Sequence, residues 1–145
     1  MALIATADRV LPGMRAEGWG RIITSASSGI IAPIRGLALS NALRSTLAGW
    51  SKTLAREVAK RGTTVNIVVP GRIETARLNR IDAERAARNG LTLEGTRRMG
   101  QAAIPIGRYG TPREYADVVT FLASSRASYL TGATIRVDGG MIASL

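Results

Sequence analysis

Three side chains in this 145-residue chain carry a spacing that could serve chemistry: Ser27, Ser40 thirteen residues later, and Arg44 four after that. A serine hydroxyl can hydrogen-bond a carbonyl or alcohol oxygen, and a guanidinium supplies several donors on a fixed positive charge. Ser40 and Arg44 are one helical turn apart, so a helix over them points both to the same side. Further along, Val65-Asn66-Ile67-Val68-Val69 reads as a strand and Pro70-Gly71-Arg72-Ile73-Glu74-Thr75 as the turn that ends it. The set lacks a proton donor suited to neutral pH, because a serine is far too weak an acid and a guanidinium keeps its proton in proteins. There is no Cys and no His, which removes disulfides, thiolate chemistry and the commonest general base and metal ligand. No clustered Asp/Glu pattern stands in their place, and no metal site is expected.

The elements that must position these residues follow from periodicity. Leu3, Ile4, Ala7, Val10, Leu11 and Met14 recur at helical spacing, with Pro12-Gly13 loosening the end of that helix. Glu17 to Gly20 reads as a turn, and Arg21 to Ser25 as a short β-branched strand that delivers the chain to Ser27. Gly29 to Gly36 is a loop. Leu39, Leu43, Leu47, Trp50, Leu54 and Val58 form one apolar stripe, and Lys60-Arg61-Gly62 supplies a basic last turn with a glycine stop. Val65 to Val69 is almost continuously apolar, as in a parallel strand buried on both faces. Residues 76–104, rich in Arg, Asn and Gly, have weak helical periodicity around Ile81 to Arg88 and read as a mobile or partly helical excursion. Thr111-Pro112-Arg113-Glu114 is a capping box with proline at the first helical position. It starts a helix that buries Tyr115, Val118, Val119 and Leu122. A loop, a last strand over Thr134 to Val137 and the turn Asp138-Gly139-Gly140 close the chain. Strands alternating with helices imply a parallel sheet with helices on both faces.

Composition sets outer limits. The length suits one domain, and 46% hydrophobic with 21% charged residues suits a globular protein. No apolar run approaches the roughly 18 residues that span a bilayer, and Asp8 interrupts the apolar start, so no membrane partner and no signal peptide are expected. Together with the missing cysteines, this points to the cytoplasm. The net charge of +10 is almost wholly arginine, since Lys52 and Lys60 are the only lysines. Such a balance raises a nucleic-acid partner. Against it, nine arginines between Arg72 and Arg113 are mixed with four acids, and the six aromatics do not interleave with arginines as base stacking needs. A site for an anionic cofactor is the preferred reading of the charge.

In order along the chain, Gly20-Arg21-Ile22-Ile23 leading to Ser27, Val65-Asn66 through Pro70-Gly71, Ala127-Ser128-Tyr129-Leu130-Thr131-Gly132 and Val137-Asp138-Gly139-Gly140 resemble the short-chain dehydrogenase/reductase family. Within it, the likeness is to the 3-oxoacyl-[acyl-carrier-protein] reductases. The resemblance runs from about Leu11 to Gly140 and corresponds to the family's C-terminal half. It implies an α/β fold, the C-terminal part of a Rossmann-like doubly wound parallel sheet with three strands and flanking helices. It also implies NAD or NADP as cofactor, bound at the carboxyl ends of the strands, and a small carbonyl or alcohol substrate. By resemblance Ser27, Ser40 and Arg44 occupy the catalytic positions, with Ser27 polarising the substrate oxygen. Arg44, Pro70, Gly71, Ile73 and Thr75 occupy cofactor-binding positions. Residues 76–104 correspond to the substrate loop, and the helix over 39–60 and the C-terminal strand to surfaces that form dimers or tetramers.

Two departures qualify these implications. The family carries Tyr where this chain has Ser40 and Lys where it has Arg44; the tyrosine is the proton donor, tuned by the neighbouring ammonium and the oxidised nicotinamide. Loss of a general acid forfeits roughly 10²–10⁴-fold, about 3–5 kcal/mol of barrier, so binding survives more readily than catalysis. Of the three tyrosines, only Tyr109 is open to supplying a phenol from elsewhere. The family's Gly-rich pyrophosphate loop also lies ahead of the matched region. Residues 1–145 are therefore expected to be a partial dinucleotide-binding domain, a shortened form or misplaced start within a longer protein in preference to a natural half-domain, with an unpaired strand edge at Arg21 to Ser25. The expected function is an NAD(P)(H)-dependent oxidoreductase, incomplete or inactive as this chain alone. The alternative is a relative that lost the chemistry and serves as a binding or scaffold protein.

Overall fold

The computed structural model describes residues 2–144. Its centre is β2, Thr63–Pro70, flanked in parallel by β1, Gly20–Ser25, and by β3, Thr134–Val137, in the sheet order β1-β2-β3. The register sets Gly20 against Thr63 and Ser25 against Val68, then Ile67 against Thr134 and Pro70 against Val137. Seven of the eight β2 residues are buried, which accounts for the unbroken apolar reading of that strand.

Successive β2 side chains serve opposite faces. Val65 meets Ala7 and Leu11 of α1, Ala2–Glu17, and Leu54, Ala55 and Val58 of α2, Ala38–Val58. Ile67 and Val69 continue on that side against Ala26 and Ile142, with Ile30, Ala48 and Met141 packed around them. Val68 turns the other way, to Leu122 and Ala127, with Tyr115, Val118 and Val119 of α5, Pro112–Ala123, half-buried around it. Helices cover both faces, as doubly wound packing requires. Asn66 breaks the apolar run without an energetic penalty, because its amide donates to the Leu130 carbonyl and its oxygen accepts from Ala133 N–H, at 2.8 and 3.1 Å. That clamp fixes the loop entering β3.

The α1 helix continues through Pro12 to Glu17 rather than loosening there. Pro12 is on the exposed side, where water can satisfy the carbonyl it leaves without a partner. The capping box forms as expected, with the Glu114 amide donating to Thr111 Oγ1 at 3.2 Å and the Thr111 amide to Glu114 Oε2 at 2.7 Å. The larger difference lies in 76–104, which is two complete helices, α3, Ala76–Asn89, and α4, Leu93–Ala102. Thr75 and Thr92 cap their N-termini, and Gly90 takes the left-handed conformation that ends α3 at φ 63°. The segment is ordered by its caps and by polar side chains, with few apolar ones to betray a period.

The stripe along α2 divides. Leu54 and Val58 are buried, whereas Leu39 and Leu43 are 74% and 62% exposed. Among the described residues β1 has no neighbour on its outer side, so the expected open edge is present.

Candidate functional site

The carboxyl ends of β1 and β2 bring the candidate residues to one corner. Ala26 N–H donates to the Val68 carbonyl at 2.9 Å, extending the sheet by one residue, and Ser27 follows. Extended backbone at Ser27, φ −156° and ψ 150°, lets its Oγ accept from Gly29 N–H at 3.2 Å and cap the 3-10 turn Ser28–Ile30. The cap occupies a lone pair and leaves the hydroxyl proton free to be donated elsewhere. Ser27 is half-buried.

The first two turns of α2 pack on that 3-10 turn. Ser40 is half-buried, and no side-chain hydrogen bond among the described residues involves it. Arg44 is exposed, and its Nη1 reaches the Ala26 carbonyl at 3.5 Å, beside Ser27. A bond that long fixes little, so most of the guanidinium's donors remain available. Asn41, between them, donates to the Ile34 carbonyl at 2.9 Å and ties the incoming loop to the helix.

Pro70 and Gly71 leave the sheet at the same level, with Gly71 N–H donating to the Val137 carbonyl at 2.9 Å. Ile73 pairs as an isolated parallel bridge with Gly110, and Arg72 and Glu74 exchange backbone hydrogen bonds with Gly110 on either side. Thr75 is the N-cap of α3, its hydroxyl accepting from Leu78 N–H at 3.3 Å. Ser27, Arg44, Pro70 and Gly71 therefore share one end of the sheet, while Ile73 and Thr75 lead away from it into the excursion.

A second polar cluster sits under the excursion, and sequence reasoning missed it. Asp82 of α3, 1% exposed, accepts from the Tyr109 hydroxyl at 2.8 Å. Burial and the Asp82 carboxylate hold the Tyr109 phenol above its usual pKa, outweighing the opposing pull of nearby Arg72. This corrects the expectation that Tyr109 is open to act as a substitute phenol: at 4% exposure and engaged with Asp82, it is a structural tyrosine. Arg97 stacks over the Tyr109 ring at 5.5 Å, pairs with Glu74 and donates to Asn79 at 2.7 Å. Arg108 grips Glu114 bidentately, Nη1 to Oε2 at 2.9 Å and Nη2 to Oε1 at 2.6 Å. That guanidinium and the Thr111 bonds lower the Glu114 carboxyl to about 2. Of the other tyrosines, Tyr115 shares a 2.7 Å hydrogen bond with Ser25 Oγ and Tyr129 is fully exposed.

The α/β architecture agrees with the comparisons with known proteins. A short-chain reductase sequence model, described as enoyl-(acyl carrier protein) reductase, matches residues 1–142. The chain belongs to the short-chain dehydrogenase/reductase family. The 3-oxoacyl-[acyl-carrier-protein] reductase FabG of Salmonella typhimurium is 45% identical over 133 residues, which cover 91% of this chain and 50% of that protein. The Pseudomonas aeruginosa FabG is 40% identical over 143 residues, covering 97% and 52%. Among solved structures, L-sorbose reductase from Gluconobacter frateurii complexed with NADPH and L-sorbose superposes with a TM-score of 0.92 at 37% identity, over 100% of this chain and 56% of that one. The chain spans about half the length of the curated short-chain reductases it matches.

Proposed function

We propose that this chain forms the substrate-side part of an NAD(P)(H)-dependent short-chain oxidoreductase acting on a carbonyl or alcohol. The observation that carries the proposal is the pairing, at one end of the sheet, of a Ser27 hydroxyl with a free proton and an Arg44 guanidinium with free donors. Ser27 would donate its hydrogen to the substrate oxygen. Arg44 would hold a ribose hydroxyl or a phosphate, and the Pro70-Gly71 turn, with Ile73 and Thr75 beyond it, would border the nicotinamide end. A hydroxyl, a guanidinium and half-buried turn backbone suit the polar, anionic character of such a cofactor. NAD(P)(H), when bound, supplies the hydride.

Ser40 cannot deliver the proton that an alkoxide requires, so water would have to reach it through the exposed face of α2. In a protein that also carries the Gly-rich pyrophosphate loop, the expected result is retained cofactor affinity with turnover reduced by roughly 10²–10⁴-fold against a tyrosine-bearing relative. The relatives' names make a 3-oxoacyl thioester the first substrate to try. Loss of NADPH absorbance with such a thioester tests the reading, and Ser40→Tyr with Arg44→Lys should raise the rate. Cofactor binding without turnover in both the parent and this double variant would sink it.

The replacements at Ser40 and Arg44 favour one alternative, a relative that kept the fold and lost the chemistry. The exposed Leu39 and Leu43 support an oligomer assembled through α2, with β3 as a second surface. Among the described residues no helix is long and apolar enough to cross a membrane, and a cytoplasmic location and a role without nucleic acid belong to the same reading.

A further inference from the structure

At the amino-terminal end of the sheet three turns meet, and Arg21 joins them. Its guanidinium donates to the Ser124 carbonyl at 3.3 Å, in the turn between α5 and β3, and to the Gly62 carbonyl at 3.4 Å, in the turn between α2 and β2. It also lies 4.8 Å from the centroid of the Trp19 ring, in the turn between α1 and β1. Trp19 is 50% exposed, so the indole carries a guanidinium on one face and still meets solvent. Ser124 N–H in turn donates to the Phe121 carbonyl at 3.1 Å. Phe121 is 39% exposed, with the Arg126 guanidinium 6.0 Å from its ring. Along the sequence the aromatics do not interleave with arginines, but the fold brings Trp19, Arg21, Phe121 and Arg126 to one end.

The charge of this end points the same way. Gly20 N–H donates to the Gly62 carbonyl, so the ends of α1 and α2 sit side by side. Arg15 closing α1, Lys60 and Arg61 after α2, and Arg126 after α5 stand with Arg21 against a single acid, Glu17. Arg56 and Glu57, a turn back on α2, cancel. Among the described residues none of these five cations takes part in an ion pair. Cations in last turns answer helix dipoles, yet dipoles do not call for exposed rings. Rings that stack on bases of any sequence, beside cations that neutralise the phosphates between them, are what a single nucleic-acid strand requires. A guanidinium laid on each ring disfavours insertion into hydrocarbon, so a bilayer suits this end less well.

We propose that the amino-terminal end of the sheet binds single-stranded nucleic acid, with Trp19 and Phe121 stacking on bases and Arg21, Lys60, Arg61 and Arg126 holding phosphates. This surface is at the opposite end of the sheet from the Ser27–Arg44 corner. It does not rest on the redox reading, and it displaces the expectation of a role without nucleic acid. The test is titration of a fluorescein-labelled thymidine oligonucleotide with the purified chain, followed by anisotropy. A strand of about 20 nucleotides exceeds the usual site size. It should bind saturably at low salt and weaken as salt rises, with a log–log slope of about −3 for four phosphates at ~0.7 each. Trp19→Ala should weaken binding roughly ten-fold, and Trp19→Phe, which keeps a ring, by less than about three-fold. Arg126→Gln should weaken it about five-fold at ~0.1 M salt, whereas Arg88→Gln, exposed on α3, should leave it unchanged. Trp19 and Arg126 are both exposed, so Trp19→Phe and Arg126→Gln keep the test readable should Trp19→Ala fold poorly. Absence of saturation at low salt overturns the proposal, as does a folded Trp19→Ala protein that binds as the parent does. Equal weakening by Arg88→Gln and Arg126→Gln also overturns it, since the attraction would then belong to the whole +10 chain. Capture on phosphatidylglycerol vesicles without oligonucleotide binding would assign the same rings and cations to a lipid surface and overturn it too.

Discussion

The corner of Ser27, Ser40 and Arg44 and the cluster of Asp82, Tyr109 and Arg97 are both polar, but they are built differently. At the corner a single 3.5 Å bond joins Arg44 to the backbone, and Ser40 bonds to no side chain among the described residues. In the cluster, a buried carboxylate takes a buried phenol, and an arginine stacks on the ring while pairing with Glu74. Loosely tied donors remain available to a ligand, whereas donors consumed internally hold elements together. The polar groups that look most like a catalytic set are tied weakly to the fold, and those that look least like one hold α3 and α4 to the segments around Glu74 and Tyr109.

That contrast can be broken by measurement. Asp82→Ala should have the largest effect, destabilising by about 2 kcal/mol because the buried Tyr109 hydroxyl loses its acceptor; urea unfolding would register it as a lower midpoint. A smaller effect is expected at Glu114. Its folded pKa of about 2 lies below the ordinary 4.5, so its contribution is present above pH 4.5 and is lost as the pH falls through about 2. The stability difference between Glu114→Gln and the parent should therefore be seen at about pH 6 and vanish near pH 2. Arg44→Ala should have the smallest effect, within about 0.5 kcal/mol of the parent. If Arg44→Ala costs as much as Asp82→Ala in the same unfolding experiment, the corner is structural and the contrast fails.

The two regions also differ in how far the sequence reveals them. Spacing puts Ser40 and Arg44 on one side of a helix, and the family resemblance joins Ser27 to them; the strand end and the first turns of the helix are local devices with clear punctuation. The β2 strand and the Thr111–Glu114 box were legible for the same reason. The helices α3 and α4 were obscured because their exposed faces are crowded with arginine, leaving Thr75, Thr92 and Gly90 as the usable signals. Asp82 gave no signal, since its partner is 27 residues away and only the folded excursion brings them together. Tyr109 is hidden for the same reason, since the carboxylate that holds it lies 27 residues away.

The sheet register also orders assembly in time. Gly20 pairs with Thr63 across 43 residues, about half of them in α2, whereas Ile67 pairs with Thr134 across 67 residues that include α3, α4 and α5. Loop closure alone separates the two events by only about 0.4 kcal/mol, but the shorter path is bridged by one continuous helix and the longer by three. The β1-α2-β2 unit should therefore be the folding nucleus, with β3 arriving later. In kinetic terms, Val65→Ala should slow folding, and Ile135→Ala should chiefly speed unfolding.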